Sequence, residues 1–259
     1  MRALLFSLFA LPALAAEPAT LPTPAGPRAV VDDDTTVACW VDGKQVEAAA
    51  CPLTATGVGI AKPEAGAIKL PTGPLVVRPG TDDDQCAHLQ RITTFDRTKT
   101  VDLGRAITSI ALPSSTYSKA ITDATGVTSP IITQLFKVDL EGDGKDEVIF
   151  VADSGDLLYD AKGNASTYAY VGVRRIGADG VLKTHLLFKS RETYSAAEIT
   201  KGDRTPVHYF GKVFGLTDLD GDKKLEIVVE DGFYEGYSHT IYRVDDAGPT
   251  ALGAIGCGA

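Results

Sequence analysis

Two short stretches carry carboxylates at a spacing suited to a hard cation. Asp139, Glu141 and Asp143 alternate, with Glu147 four residues on; Asp218, Asp220, Asp222 and Glu226 repeat that spacing. Calcium takes six to eight oxygen ligands, and a tight loop can turn alternate side chains and one backbone carbonyl toward a single point. Positions one, three, five and nine supply carboxylates in both loops, while position seven, Lys145 or Lys224, supplies a carbonyl oxygen. Gly142 and Gly144 let the first loop turn tightly, because glycine takes positive φ without steric cost. In the second loop Lys223 stands at position six, where the first has Gly144. The first loop holds five acids and one lysine from Asp139 to Glu147, the second four acids and two lysines from Asp218 to Glu226. Charge and backbone together make the second loop the expected weaker binder.

An EF-hand begins with similar alternation but needs a bidentate Glu at position twelve and flanking helices. Position twelve is Phe150 in one loop and Val229 in the other, and both loops run into β-rich segments, DEVIFVA and LEIVVE. Other chemistry is weakly signalled. His88, His185, His208 and His239 are scattered without an HExxH pair. Ser154 sits in ADSGD rather than the G-x-S-x-G elbow of hydrolases, and no nucleophile has an evident base. The acidic triplets Asp32 to Asp34 and Asp82 to Asp84 lack alternation with glycine and read as exposed loops. In GFYEGYSHTIYRV, Phe233, Tyr234, Tyr237 and Tyr242 gather beside His239; such residues make contact surfaces or fill gaps between sheets. Asn164, Ala165 and Ser166 form a glycosylation sequon.

The elements that must position these loops are short β-rich runs bounded by Gly, Asp, Pro and Asn, including LPTGPLVVRPG, TYAYVGVRRIG and VLKTHLLFK. The pattern is all-β, with Ser114 to Ala124 readable as either a helical turn or a loop. Aligned on their acidic loops, two stretches share one order: strand, acidic loop, strand, strand, turn, strand. Each predicts a four-stranded antiparallel unit of the kind that β-propellers arrange radially.

Before these repeats the chain opens with Met1 and Arg2, an apolar run and small residues at Ala13 and Ala15, an export signal over residues 1–15. Residues 16–28 form a Pro/Ala-rich linker, 29–130 a degenerate β region, and 131–259 the two repeats, with the last two packed as one domain. No segment approaches the roughly 18 to 20 apolar residues that a membrane helix needs. A net charge of -9 without clustered Lys and Arg argues against nucleic acid as a partner. Four cysteines in an exported chain read as two disulfides, and of three connectivities the favoured one joins Cys39 with Cys51, across the VDGKQ turn, and Cys86 with Cys257.

The loops VDLEGDGKDEVIFV and TDLDGDKKLEIVV resemble the FG-GAP or VCBS-type repeats of integrin α-subunit propellers and many bacterial secreted proteins. The likeness covers residues 131–254. It implies a β-propeller or partial propeller, calcium as cofactor, and as ligands Asp139, Glu141, Asp143, Glu147, Asp218, Asp220, Asp222 and Glu226, with carbonyls from Lys145 and Lys224. Glu141, Lys223 and the position-nine glutamates depart from the usual pattern. The function expected is that of a secreted or periplasmic calcium-binding module recognising a surface glycan, polymer or protein. A secreted hydrolase on a calcium-stabilised scaffold and a structural envelope component are its rivals.

Overall fold

The computed structural model describes residues 26–32, 35–46, 51–52, 55–78, 91–95 and 99–258. The export signal, most of the linker, Cys86, His88, Asp33, Asp34 and Asp82 to Asp84 lie outside the described residues. Among those described, no helix is long and apolar enough to cross a membrane.

The chain is mostly β, in two largely antiparallel sheets. The strands of the first repeat are β8 (Ile132–Val138), β9 (Glu147–Asp153), the two-residue β10 (Leu158–Tyr159), β11 (Ala165–Ile176) and β12 (Leu182–Tyr194). Those of the second are β13 (Phe210–Thr217), β14 (Glu226–Phe233), β15 (Gly236–Asp245) and β16 (Gly248–Gly258). In both repeats, four strands pair as an antiparallel meander, β8-β9-β11-β12 and β13-β14-β15-β16. Register is conserved as well. Val138 pairs Glu147 and Thr217 pairs Glu226, so each acidic loop joins the first two strands of its meander at the same point. The expected repeat is therefore present as two equivalent units, while no closed ring forms among the described residues.

The preceding region contributes β1 (Arg28–Asp32), β2 (Thr35–Val41), β3 (Lys44–Val46), β4 (Thr56–Gly59), β5 (Gly66–Arg78), β6 (Arg91–Phe95) and β7 (Thr100–Ser109). Pairing of β7 with β8 continues the first meander into these strands as one larger sheet, whose parallel contact is β1 with β4. β2 and β3 form a hairpin at Asp42 and Gly43, both at positive φ, the conformation an Asp-Gly turn supplies. The expected disulfide Cys39–Cys51 is formed beside it, with Cα atoms 5.8 Å apart. Its proposed companion involves Cys86 and so lies outside the described residues.

Periodicity of two decides how these sheets pack. Ile149 and Val151 of β9 and Val171 and Val173 of β11 turn to the face that meets Ile227 and Val229 of β14, forming the largest core cluster. Val228 and Ile241 face the other way, onto Val30 and Trp40 of β1 and β2. The second meander is thus buried on both faces. The opposite face of the first meander is covered by α1 (Ser115–Thr125), whose Ile121 packs with Phe150, Ala152, Tyr168 and Tyr170. The ambiguous segment is therefore a helix. It ends at Gly126, left-handed at φ 72°, whose amide bonds Thr122 O, and the apolar strand face beneath gives it something to cover.

Packing beneath α1 leaves no spare volume at Gly172, where a Cβ would lie 2.3 Å from Phe150 Cζ and 2.9 Å from the His185 carbonyl oxygen. Gly172→Ala should destabilise the fold by about 2 kcal/mol, the cost of overpacking a core. Combined with Phe150→Leu, it should cost less than the sum of the single changes, since the shorter side chain vacates that volume. Urea unfolding of the four proteins of this cycle checks both.

Candidate metal centre

Each loop begins where a strand ends and wraps around its first aspartate. In the first, Asp139 Oδ1 accepts the amides of Gly142 (2.6 Å) and Asp143 (3.2 Å), and Oδ2 that of Gly144 (2.9 Å). In the second, Asp218 Oδ1 accepts the amide of Gly221 (2.7 Å) and Oδ2 that of Lys223 (3.2 Å). Lys145 and Lys224, expected to offer carbonyls, donate their amides to Asp143 and Asp222 at 2.9 and 2.7 Å. Position six is left-handed in both, at φ 83° for Gly144 and φ 70° for Lys223. The lysine thus adopts the glycine conformation that the spacing demands.

The two loops differ in what they bring together. One carboxylate oxygen from each of Asp218, Asp220 and Asp222 lies within 4.8 Å of the others, and among the described residues no other three acidic, His or Cys side chains converge this way. Burial, with added repulsion from Asp222 and Asp220, pushes Asp218 above its ordinary pKa although the Gly221 and Lys223 amides pull it down. In the first loop Glu141 turns to Arg175 Nη2 (2.9 Å), and Asp143 is held by Lys145 Nζ (2.9 Å), which keeps its pKa below the usual carboxylate value. Three hard oxygen donors without sulfur or imidazole suit a hard divalent cation, so the residues of the second loop could hold one.

The position-nine glutamates turn inward. Glu147 Oε2 accepts the Leu140 amide and Glu226 Oε2 the Leu219 amide, both at 2.8 Å, bonds that tie the loop's second residue to the start of the next strand. Burial raises the pKa of both, that of Glu226 to about 7. Arg243 opposes it, with Nε 2.9 Å and Nη2 2.5 Å from Glu226 Oε1, and the same Nη2 reaches Asp220 Oδ2 at 2.8 Å. Both oxygens of Glu226 thus accept protein donors.

Four arginines of the site were not singled out in the sequence. Arg174 pairs Val148 and Tyr242 pairs Ile227, so Arg175 and Arg243 follow at equivalent places, each beside a position-nine glutamate and each bonded to the position-three acid. Extending the repeat alignment from RRIGADG onto YRVDDAG would have matched them. Arg105, from β7, donates to Asp139 O (2.7 Å) and Leu140 O (3.1 Å) and with its other nitrogen to Lys223 O, spanning both loops. Arg28, from β1, reaches Leu219 O at 3.4 Å and fills the space beside Gly221. No repeat signal marks Arg105 or Arg28. The loops also share a backbone hydrogen bond, Leu225 N to Leu140 O at 2.8 Å.

Elsewhere, His208 Nε2 meets Asp153 Oδ1 at 2.8 Å and His239 Nε2 meets Glu230 Oε2 at 3.0 Å, with Lys212 Nζ on the same glutamate. Ser154 Oγ is buried against Thr167 Oγ1 at 3.0 Å. The aromatic hairpin of β14 and β15 is partly exposed, Tyr234 at 78% and Tyr237 at 39%, with Phe233 in edge contact with Tyr234. No protein-family model, curated protein or solved structure matches the chain.

Two outcomes follow from this geometry. Arg243→Met leaves Glu226 buried without its cation and should destabilise the chelator-treated protein by about 3 kcal/mol, the cost of breaking a buried pair. Millimolar calcium should narrow that gap in parallel denaturant titrations, because an ion beside Asp220 supplies the missing charge. Lys223→Gly relieves a left-handed lysine, offset in part by the greater freedom of glycine in the unfolded chain, for a gain of roughly 0.5 to 1 kcal/mol. The left-handed φ of Lys223 belongs to the loop's own turn, in which its amide bonds Asp218 Oδ2, so the strain falls on folding rather than on binding. The gain should be equal in chelator and in calcium, and calorimetry should find calcium affinity unchanged within about twofold, or 0.4 kcal/mol.

Proposed function

We propose that this chain is an exported calcium-binding β protein of the FG-GAP or VCBS type, acting as a binding module for a surface glycan, polymer or protein. The observation that carries the reading is the convergence of Asp218, Asp220 and Asp222 in a loop whose spacing, register and flanking strands recur at Asp139 to Glu147. The two meanders then serve as propeller-like units, and calcium rigidifies the connection between the first two strands of each. Asp139, Glu141, Asp143, Lys145 and Glu147 of the first loop, and Lys224 and Glu226 of the second, belong to the same proposed ligand sets. Export to the periplasm or medium accords with the signal-like first residues and with the Cys39–Cys51 disulfide, a bond that persists in oxidising compartments.

Recognition is assigned to the β14–β15 hairpin. Tyrosine pairs a rigid apolar body with a polar tip, and Tyr234 in the turn and Tyr237 on β15 are both exposed to solvent.

Calcium removal tests the metal assignment. With calcium a hundredfold above its dissociation constant, each occupied site should add about 2.7 kcal/mol to stability. Thermal melts in chelator and in millimolar calcium should separate accordingly, and Asp218→Asn should abolish the second loop's share. Identical midpoints, with no metal in the purified protein by mass spectrometry, would rule calcium out.

A further inference from the structure

Beside α1, on the face of the first meander away from the acidic loops, lies an open groove of about 590 Å³ between the helix and strands β11 and β12. Thr116, Lys119 and Asp123 line it from the helix, and Arg174, Thr184 and Leu186 from the strands. The helix residues recur at helical spacing, so one face of α1 forms the wall. Lys119 and Asp123 neutralise each other at 2.6 Å. The charge left over in the groove is that of Arg174.

Arg174 differs from the other arginines whose side chains are described. Arg28, Arg105 and Arg191 donate to backbone carbonyls, and Arg175, Arg204 and Arg243 to carboxylates. Arg174 makes no hydrogen bond and no ion pair among the described residues; its one described partner is the Tyr117 ring, 5.8 Å from the guanidinium carbon. Its Nε is buried with no acceptor. A partly buried cation without an anion is costly, and the chain carries a formal charge of -9, so acids to pair with it are in surplus. An unpaired guanidinium held by an aromatic ring, flanked by two threonine hydroxyls and an apolar floor, has the donors and the shape to take a planar or tetrahedral oxyanion.

We propose that this groove is a binding site for an anionic oxygen group, a carboxylate, sulfate or phosphate, anchored by Arg174 with Thr116 and Thr184 as supporting donors. It is separate from the calcium loops and the tyrosine hairpin and stands whether or not either is occupied. An acidic saccharide and a free inorganic anion would both present this group, and the probes distinguish them.

The test is an NMR titration of the full folded domain in metal-depleted buffer at constant ionic strength, following backbone amides and arginine Nε–H signals. The probes are sodium glucuronate, sodium sulfate and sodium phosphate. At least one should shift Thr184, Leu186 and the Arg174 Nε–H saturably, with a dissociation constant of about 1 mM, typical of a single small-anion contact. Tightest binding by glucuronate points to an acidic saccharide, and tightest binding by sulfate or phosphate to that inorganic group or its ester. Arg174→Gln should weaken binding about tenfold, while Arg204→Gln, which alters a distant exposed arginine, should not. Shifts that stay linear with concentration, spread over all surface arginines or persist in Arg174→Gln overturn the proposal. If Arg174→Gln does not fold, the wild-type shift map decides by the same criterion of saturation centred on the groove.

Discussion

Repulsion among carboxylates is the constraint around which this structure is arranged. Unit charges 4.8 Å apart, the spread of the Asp218, Asp220 and Asp222 oxygens, repel by about 3 kcal/mol per pair at the effective dielectric of a protein surface. Such a cluster persists only if donors and cations surround it. Backbone amides supply the first set, three to Asp139 and two to Asp218. Arginines supply the second, and they come from strands rather than from the loops. β11 carries Arg175, β15 carries Arg243, β7 carries Arg105 and β1 carries Arg28. The meander register is what delivers Arg175 and Arg243 to equivalent acids, and a one-residue slip would send both side chains to the opposite face.

The same arginines join the repeats. Arg105 spans carbonyls of both loops, and Arg175 reaches from Glu141 to Val244 O at 3.2 Å and Asp246 at 3.3 Å in the second meander. With the Leu225 to Leu140 hydrogen bond, these contacts tie the two loops together. Coupling of this kind is a free energy shared by two sites, and it acts in both directions. A propeller blade seen as an independent unit would lack it. Here the units meet face to face through Ile149, Val151, Ile227 and Val229, which brings their loops within hydrogen-bond reach.

Much of this was legible in the sequence. β-Rich runs bounded by Gly, Asp, Pro and Asn gave the strands, the repeated acidic spacing gave two equivalent meanders, and VDGKQ gave the turn beside the disulfide. Position six was read correctly as a left-handed site even though lysine occupies it, because the constraint belongs to the loop rather than to the residue. What escaped was tertiary. α1 has little local signal beyond its length and is a helix because it covers Ile132, Phe150 and Tyr170. Arg105 and Arg28 serve the loops from strands distant in sequence, and no local pattern encodes that reach. The position-nine glutamates could be read as ligands from spacing alone; their bonds to Leu140 and Leu219 depend on how sharply each loop turns back.

Spacing alone also cannot distinguish the loops, yet their surroundings do. Strands β1 and β4 flank the second loop, through Arg28 at Leu219 and Thr217 Oγ1 on Gly59 O at 3.2 Å, and Asp218 and Asp220 are buried there. The first loop is held by Arg105 of β7 but is more open, and Asp143 and Lys145 are exposed and pair with each other. Water screens a pair in that position and leaves it worth little. Under cover, by contrast, carboxylates lose their solvent and keep their repulsion, so a divalent ion gains more by entering. Composition places the stronger site in the loop with more acids and more glycine. Lys223 takes the same left-handed conformation as Gly144, while the first loop keeps the larger acid surplus, five acids to one lysine against four to two. The amino-terminal strands thus accompany the convergence of Asp218, Asp220 and Asp222, contributing Arg28 and the Gly59 carbonyl to the surroundings of the second loop.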